Sequence, residues 1–339
     1  MKIKSCIFGA SGYAGVELIS LLLAHPEYSL EALFVSENSA DAGKTMGELY
    51  PQRPAMADLV LQSGDSAQLQ AMAEQMDVIF LATPHEFSHD IMPVLTSAKA
   101  RVMDLSGAFR IKNRDVFASN YGFSHQHSDL LEQAIYGLVD WHADALAGAK
   151  LVAVPGCYPT ASLLALKPLF ENQLLDSQLR PVINAVSGVS GAGRKAALNN
   201  SFCEVSLQAY GVLNHRHQPE IENWLGTEVI FTPHLGNFKR GILATITAKL
   251  NAGVTEQQIS DAFQSAYAGN PQIQLRHTFP KVEDVVNTGR CDLGWKYDAD
   301  SGYLVICSAI DNLLKGAASQ ALQCANLSFG LDKNSGLPL

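Results

Sequence analysis

The chain has 339 residues, 47% of them hydrophobic, which excludes disorder and suffices for two buried cores. Its formal net charge of -9 leaves no surplus of cations for a sequence-independent grip on a phosphate backbone, so no nucleic-acid partner is expected.

The first apolar run, Lys4–Phe8, follows the basic start Met1-Lys2-Ile3 but stops at Gly9 without a small-residue cleavage pattern, so it reads as a strand and not as an export signal. Gly9-Ala10-Ser11-Gly12-Tyr13-Ala14-Gly15 comes next and opens a helix through Val16, Glu17, Leu18 and Ile19. Glycines at a strand-to-helix junction permit a tight turn and let backbone amides approach a pyrophosphate at the positive end of the helix. The spacing is GxxGxxG and not the commoner GxGxxG, so its place in the first βαβ unit carries the assignment of all seven residues to a dinucleotide. Leu30–Val35 is the second strand. Its end decides the cofactor: Ser36, Asn38, Ser39 and Lys44 suit a 2'-phosphate and Glu37 opposes it, which favours NADP(H) over NAD(H). Val78–Leu81 and Arg101–Asp104 continue the alternation of strands and helices, the signature of a doubly wound parallel sheet. Arg110, after Asp104-Leu105-Ser106-Gly107, is a candidate ligand for phosphate or carboxylate. His125, His127 and His142 do not make a convincing metal set, and no metal is expected.

Leu151–Val154 reads as a strand, Pro155-Gly156 as a turn holding Cys157, and Thr160–Leu169 as a helix. Pro155, Pro159, Pro168 and Lys167 interrupt Leu151–Phe170, the most nearly apolar long stretch, so no membrane span is expected and the protein is expected in the cytoplasm. The six cysteines have no CxxC pair and fit neither a disulfide framework nor a zinc knuckle. Cys6, Cys307 and Cys324 sit in apolar contexts as small core residues. Cys157 differs: beside a helix start it meets free amides and the positive end of the macrodipole, which favour a thiolate and can hold an oxyanion.

Beyond Cys157 the strands lengthen and become β-branched, at Pro181–Val186, Val229–Thr232, Ile242–Leu250 and Tyr303–Ile310, as in a second domain with a mixed or antiparallel sheet. Ser187–Lys195 resembles an anion-binding nest ending in Arg194 and Lys195, with Ser190 at its centre. His215 and His217 point to opposite sides of an extended chain, so they make poor metal ligands together, but either can serve as acid/base partner to a catalytic thiol. Phe238-Lys239-Arg240 is a second basic cluster. The last helical stretch begins near Asp311 or Asn312, either a plausible N-cap.

Together the blocks GASGYAG (9–15), FLATPHEFSH (80–89), DLSGAFR (104–110), PGCYPTA (155–161), SGVSGAGRK (187–195), HRHQPEI (215–221), FTPHLGNFKRG (231–241) and DNLLKGAA (311–318) resemble the N-acetyl-gamma-glutamyl-phosphate reductases of arginine biosynthesis, in family order over essentially the whole chain. The resemblance implies a Rossmann-like domain (1–154 plus 313–339) and an α+β catalytic and oligomerisation domain (155–312). It implies Cys157 as nucleophile, His217 as acid/base, Arg110 as an acyl-phosphate contact and Asn312 at the nicotinamide amide, while Ser190, Arg194 and Arg240 are candidate substrate contacts from the loop and basic cluster that hold them. It implies NADPH reduction of an acyl phosphate by a homo-oligomer, dimer or tetramer. Many members read DLSADFR where this chain has DLSGAFR, so no role is carried over for the missing aspartate. An aspartate-semialdehyde dehydrogenase-like enzyme is the nearest alternative activity. A cysteine hydrolase would leave the glycine loop without a task, and a nucleotide sensor would have no use for a reactive thiol.

Overall fold

The alternation in the first 150 residues becomes a seven-stranded sheet in the computed structural model, which describes residues 1–64 and 66–338. The chain divides into two units, Met1–Gly156 with Ala317–Leu337, and Cys157–Gly316 with Pro338. In the first unit β1 (Ile3–Phe8), β2 (Tyr28–Ser36), β3 (Leu61–Gly64), β4 (Val78–Leu81), β5 (Arg101–Asp104), β6 (Ile135–Tyr136) and β7 (Leu151–Ala153) lie in the order β3-β2-β1-β4-β5-β7-β6. All pair in parallel, and the apolar runs of β1 and β4 sit at its centre because residues there are buried on both faces. The carboxyl end of β1, flanked by β2 on one side and β4 on the other, is where the winding direction reverses. Ligands bind at such a switch point.

The C-terminal helix Ser319–Ser328 belongs to this unit. Cys324 Sγ meets the Gly137 carbonyl at 3.2 Å, His25 Nε2 the Ser335 carbonyl at 3.0 Å, and Lys333 the Asp140 carboxylate at 3.3 Å. Gly137 must be glycine here, since a Cβ would stand 2.7 Å from that sulfur.

The second unit is built on β8 (Val182–Gly188), β9 (Gln208–Ala209), β10 (Ile230–Gly236), β11 (Ile242–Lys249), β12 (Ile273–Arg276), β13 (Cys291–Asp298) and β14 (Tyr303–Ile310), in the order β12-β13-β14-β11-β8-β10-β9. The sheet is mixed: β8 with β10 and β12 with β13 run parallel, the other pairs antiparallel. Ile242, Ala244, Ile246 and Ala248 of β11 are buried and alternate with half-buried neighbours, the period-2 pattern of a sheet with one packed face. Among the described residues no helix is long and apolar enough to cross a membrane.

Candidate active site

The loop Gly9–Gly15 connects β1 to the helix Tyr13–Ala24. Gly9 and Ala10 donate to the Phe34 carbonyl at 2.9 and 3.1 Å, and Gly12 to the Gly9 carbonyl at 3.1 Å. Gly9 has φ +81°, and a Cβ on Gly15 would lie 2.5 Å from the Gly9 carbonyl oxygen, so both must be glycine for this turn. Gly12 caps the helix without a side-chain bond, and its first turn carries no acidic residue. A helix start bare of side-chain acceptors fits an anionic pyrophosphate. Ser36, at the end of β2, and Ser39 stand close in the next turn, Ser39 N–H donating to the Ser36 carbonyl at 2.9 Å. Lys44 lies 3.6 Å from Asp41.

Arg110 is built into the interior of the first unit. It is 5% exposed, and its Nε donates to the Val154 carbonyl at 2.8 Å and its Nη2 to the Leu105 carbonyl at 2.7 Å. Its charge also faces the buried Asp104, whose carboxyl is raised by burial against the pull of Ser106 and Arg110. The departure from DLSADFR has a steric setting: Gly107 packs under Tyr121, whose ring and hydroxyl occupy the space a Cβ would need, and its N–H donates to His85 Nδ1 at 2.8 Å. His125 packs edge-on against Phe109 and Phe117 at 4.9 and 5.1 Å.

Cys157 lies in the second unit, half-buried, and is the first residue of the helix Cys157–Glu171. The sequence puts it in a turn ending before Thr160, but the helix starts three residues earlier because Pro159 is tolerated in a first turn, where its missing N–H is no loss. Cys157 thus sits at the positive end of the helix. Gly316 approaches it so closely that a Cβ there would be 2.8 Å from Cys157 Cβ. That approach is made by an i to i+5 turn, in which Gly316 N–H donates to the Asp311 carbonyl at 2.9 Å.

Neighbouring Tyr158 went unnoticed in the sequence. Its hydroxyl donates to the His234 carbonyl at 3.0 Å and accepts from Tyr210 at 3.2 Å. The rings of His215 and His217 stand across it at 5.8 and 5.9 Å. Burial holds the Tyr158 and Tyr210 hydroxyls well above the ordinary tyrosine range, with Cys157 adding its charge. The two histidines separate here. Burial, and then the charge of Arg216, push His215 down to about 4; it stays neutral near pH 7, its Nδ1 accepting from the His217 N–H at 3.1 Å. His217 heads the helix His217–Leu225.

The amides at the start of the Ser187–Lys195 segment are engaged within the second unit. Gly188, Val189 and Ser190 donate to the carbonyls of Gly241, Phe238 and Lys239 at 2.9, 2.9 and 3.1 Å. Asn312 is 3% exposed; its Nδ2 donates to Ser190 Oγ at 3.0 Å and its Oδ1 accepts from Gly241 N at 2.6 Å. Arg240 Nε meets the fully buried Asp311 at 2.5 Å, and the same carboxylate accepts from Asn287, Leu313 and Leu314. Asp311 is therefore the cap that the sequence divided between itself and Asn312. Arg194 lies on an exposed loop. Cys157, His217, Ser190, Asn312 and Arg240 thus belong to one unit, and the glycine loop, Ser36, Ser39 and Arg110 to the other.

Residues 4–149 match the semialdehyde dehydrogenase NAD binding domain and residues 157–312 the semialdehyde dehydrogenase dimerisation domain. N-acetyl-gamma-glutamyl-phosphate reductases of Pseudoalteromonas atlantica and Alteromonas mediterranea are 60% and 58% identical to the chain, over 99% and 98% of it and 98% of each relative. The relative of the same name from Pasteurella multocida is 56% identical over 98% of the chain and 99% of its own length. Among solved structures, aspartate semialdehyde dehydrogenase II of Vibrio cholerae shares the fold at TM-score 0.70 and 18% identity, covering 96% of this chain and 98% of that one. With both halves matched and such identity over nearly the full length, the chain belongs to the semialdehyde dehydrogenase family and, within it, to the N-acetyl-gamma-glutamyl-phosphate reductases.

Proposed function

We propose that the chain reduces N-acetyl-gamma-glutamyl phosphate to N-acetyl-glutamate 5-semialdehyde and phosphate with NADPH, by way of a thioester on Cys157. The observation that carries this reading is the setting of Cys157: a thiol at a helix N-terminus, with His217 across the Tyr158 ring. His217 takes the thiol proton, and the sulfur attacks the acyl carbon. The carbon–oxygen bond to phosphate breaks, and phosphate leaves with its electron pair. Amides at the start of the Cys157 helix hold the developing oxyanion. The glycine loop, Ser36 and Ser39 hold the dinucleotide, which when bound supplies hydride to the thioester carbon. As the carbon–sulfur bond breaks, His217 returns its proton to the departing sulfur.

Asn312, held by Ser190 and Gly241, is the partner for the nicotinamide amide, and Arg240 and Arg194 supply positive charge toward the substrate. The match of 157–312 to a dimerisation domain supports a homo-oligomer, and six cysteines in free form suit a reducing compartment such as the cytoplasm. The test runs the reaction in reverse. N-acetyl-glutamate 5-semialdehyde should drive phosphate-dependent NADP+ reduction far faster than aspartate semialdehyde does. A rate independent of phosphate, or an equal rate with aspartate semialdehyde, would overturn the reading.

A further inference from the structure

Two imidazoles stand where the proposed chemistry needs one. His215 and His217 are separated by Arg216 alone, and their rings lie 4.8 Å apart. Their places in the backbone differ. His217 opens the helix His217–Leu225, and Arg216 before it makes no side-chain bond to that helix start. The first amides of a helix have no partner within it, and here His215 takes two of them. The His217 N–H donates to His215 Nδ1 at 3.1 Å, and the Gln218 N–H donates to the His215 carbonyl at 2.8 Å. The imidazole thus does the work that a serine or aspartate side chain does at an ordinary helix start.

Accepting that bond fixes the state of the ring. A neutral histidine has one acceptor nitrogen and one donor, so with Nδ1 accepting, the His215 proton is on Nε2. A second proton on Nδ1 would face the His217 N–H and break the cap. The surroundings favour the neutral form as well. Tyr210, Phe231, Tyr158 and His217 stand around the ring at 5.4, 5.6, 5.8 and 4.8 Å, with planes 68° to 89° apart, the edge-to-face packing that aromatic pairs prefer. The groups that face His215 are thus Tyr158 of the Cys157 helix, Tyr210 beyond β9, Phe231 of β10, and its neighbours Arg216 and His217. Both tyrosines are held protonated by burial and Arg216 is a cation, so none of these groups is an anion near pH 7. Tyr158 follows Cys157 directly, and its hydroxyl is anchored by the His234 carbonyl and Tyr210, so the box around His215 is tied to the thiol by one peptide bond.

We propose that His215 is a positioning residue that stays neutral, caps the helix of His217 and holds the His217 imidazole in place, so that His217 alone exchanges a proton with the Cys157 thiol. A cation 4.8 Å from His217 would oppose its taking up that proton; a neutral ring does not. The catalytic part of this inference rests on the assignment of Cys157 and His217 as the reacting pair, whereas the cap and the neutral ring do not.

The test uses the full chain and two variants that divide the ring from its acceptor. His215→Phe keeps a ring and loses the acceptor; His215→Asn loses the ring and keeps an acceptor near the place of Nδ1. In His215→Phe kcat should fall about tenfold or more, as small displacements of catalytic groups do, while the KM for NADPH stays within about twofold, because the cofactor loop belongs to the other unit. His215→Asn should recover kcat to within about threefold of the parent. Alkylation of Cys157 by iodoacetamide, followed against pH without substrate, supplies a readout that a purely structural role would leave unmoved. Its midpoint should rise in His215→Phe, as the imidazole that favours the thiolate is displaced, and return in His215→Asn. Parental kcat and alkylation in His215→Phe, or equal losses in the two variants, would overturn the positioning role. Should the variants fail to fold by circular dichroism, nitrogen-15 NMR of the parent's histidines decides. The His215 ring should carry its proton on Nε2 and none on Nδ1 from about pH 8 down to about pH 6, where an unhindered histidine is mostly charged; a proton on Nδ1 in that range would sink the proposal. A parent without phosphate-dependent turnover would defeat the proposed function, while alkylation and NMR would still decide the place of His215.

Discussion

Cys157 and Arg110 show how differently two residues of conspicuous motifs are used. Cys157 stands half-buried at a helix start, so Cys157→Ser should keep NADPH binding, which depends on the other unit, and lose reduction by at least about a hundredfold. Serine is not ionised near neutral pH, and its ester accepts hydride less readily than a thioester. Mass spectrometry after mixing the parent with the acyl phosphate alone should find the acyl group on the peptide holding Cys157; an adduct on Cys203 or Cys291, or an active serine variant, would defeat the mechanism. Arg110 was expected from its motif to meet phosphate, yet two of its nitrogens donate to the Val154 and Leu105 carbonyls and its charge faces Asp104. Arg110→Ala would leave a buried carboxyl and two carbonyls without it, a loss on the order of 3 kcal/mol. At about 2–4 °C per kcal/mol for a domain of this size, calorimetry should record a fall of roughly 6–12 °C in Tm. A Tm within about 2 °C of the parent would return Arg110 to the role of a substrate contact.

At the level of elements, the turn Leu314–Ala318 has the tightest link to chemistry. Its i to i+5 hydrogen bonding is rare and often marks a functional site, and here it brings Gly316 onto Cys157. Gly316→Ala should leave the fold intact but displace the thiol, lowering kcat about tenfold with little change in the KM for NADPH; an unaltered kcat would show that the contact gives way without consequence. Strands whose centres are apolar were legible from sequence to the residue, as at β4, β5 and β14. β13 was not, because Asp292, Lys296 and Asp298 break its pattern. The structure shows why the first is tolerated: Asp292 is fully buried between Arg276 and Arg290, each at 3.2 Å. β9 is two residues long and leaves no periodic trace at all. The residues proposed for the site stand out in sequence where chemistry needs glycine, proline and cysteine in fixed local order, as at 9–15 and 155–157. Tyr158 and Tyr210 were not, since their bond joins residues 52 apart and only the folded sheet brings them together.

For the whole molecule, each unit carries a histidine that resists protonation, buried in the first and half-buried in the second. In the first, His125 is 1% exposed; burial, then the neighbouring His89 and His127, push it down to about 4. In the second, burial and then Arg216 bring His215 to about 4. Both folded values lie below the 6.5 of an unhindered histidine, so the unfolded chain takes up protons that the folded chain refuses. Above pH 6.5 neither state is protonated and the two histidines have no effect on stability. As pH falls from 6.5 toward 4, each removes up to about 1.4 kcal/mol per pH unit, and below 4 the loss levels off. Both units should therefore weaken over the same window, ahead of the carboxylates that titrate lower. Urea midpoints measured between pH 7.5 and 4.5 should fall most steeply below 6.5. His125→Phe, which keeps the ring packing on Phe109 and Phe117 without a titrating nitrogen, should flatten that fall by about one proton's worth. The His215 contribution should remain in this variant, so a residual slope is expected. A variant with the parent's full pH slope would show that His125 is protonated as readily in the folded chain as in the unfolded one.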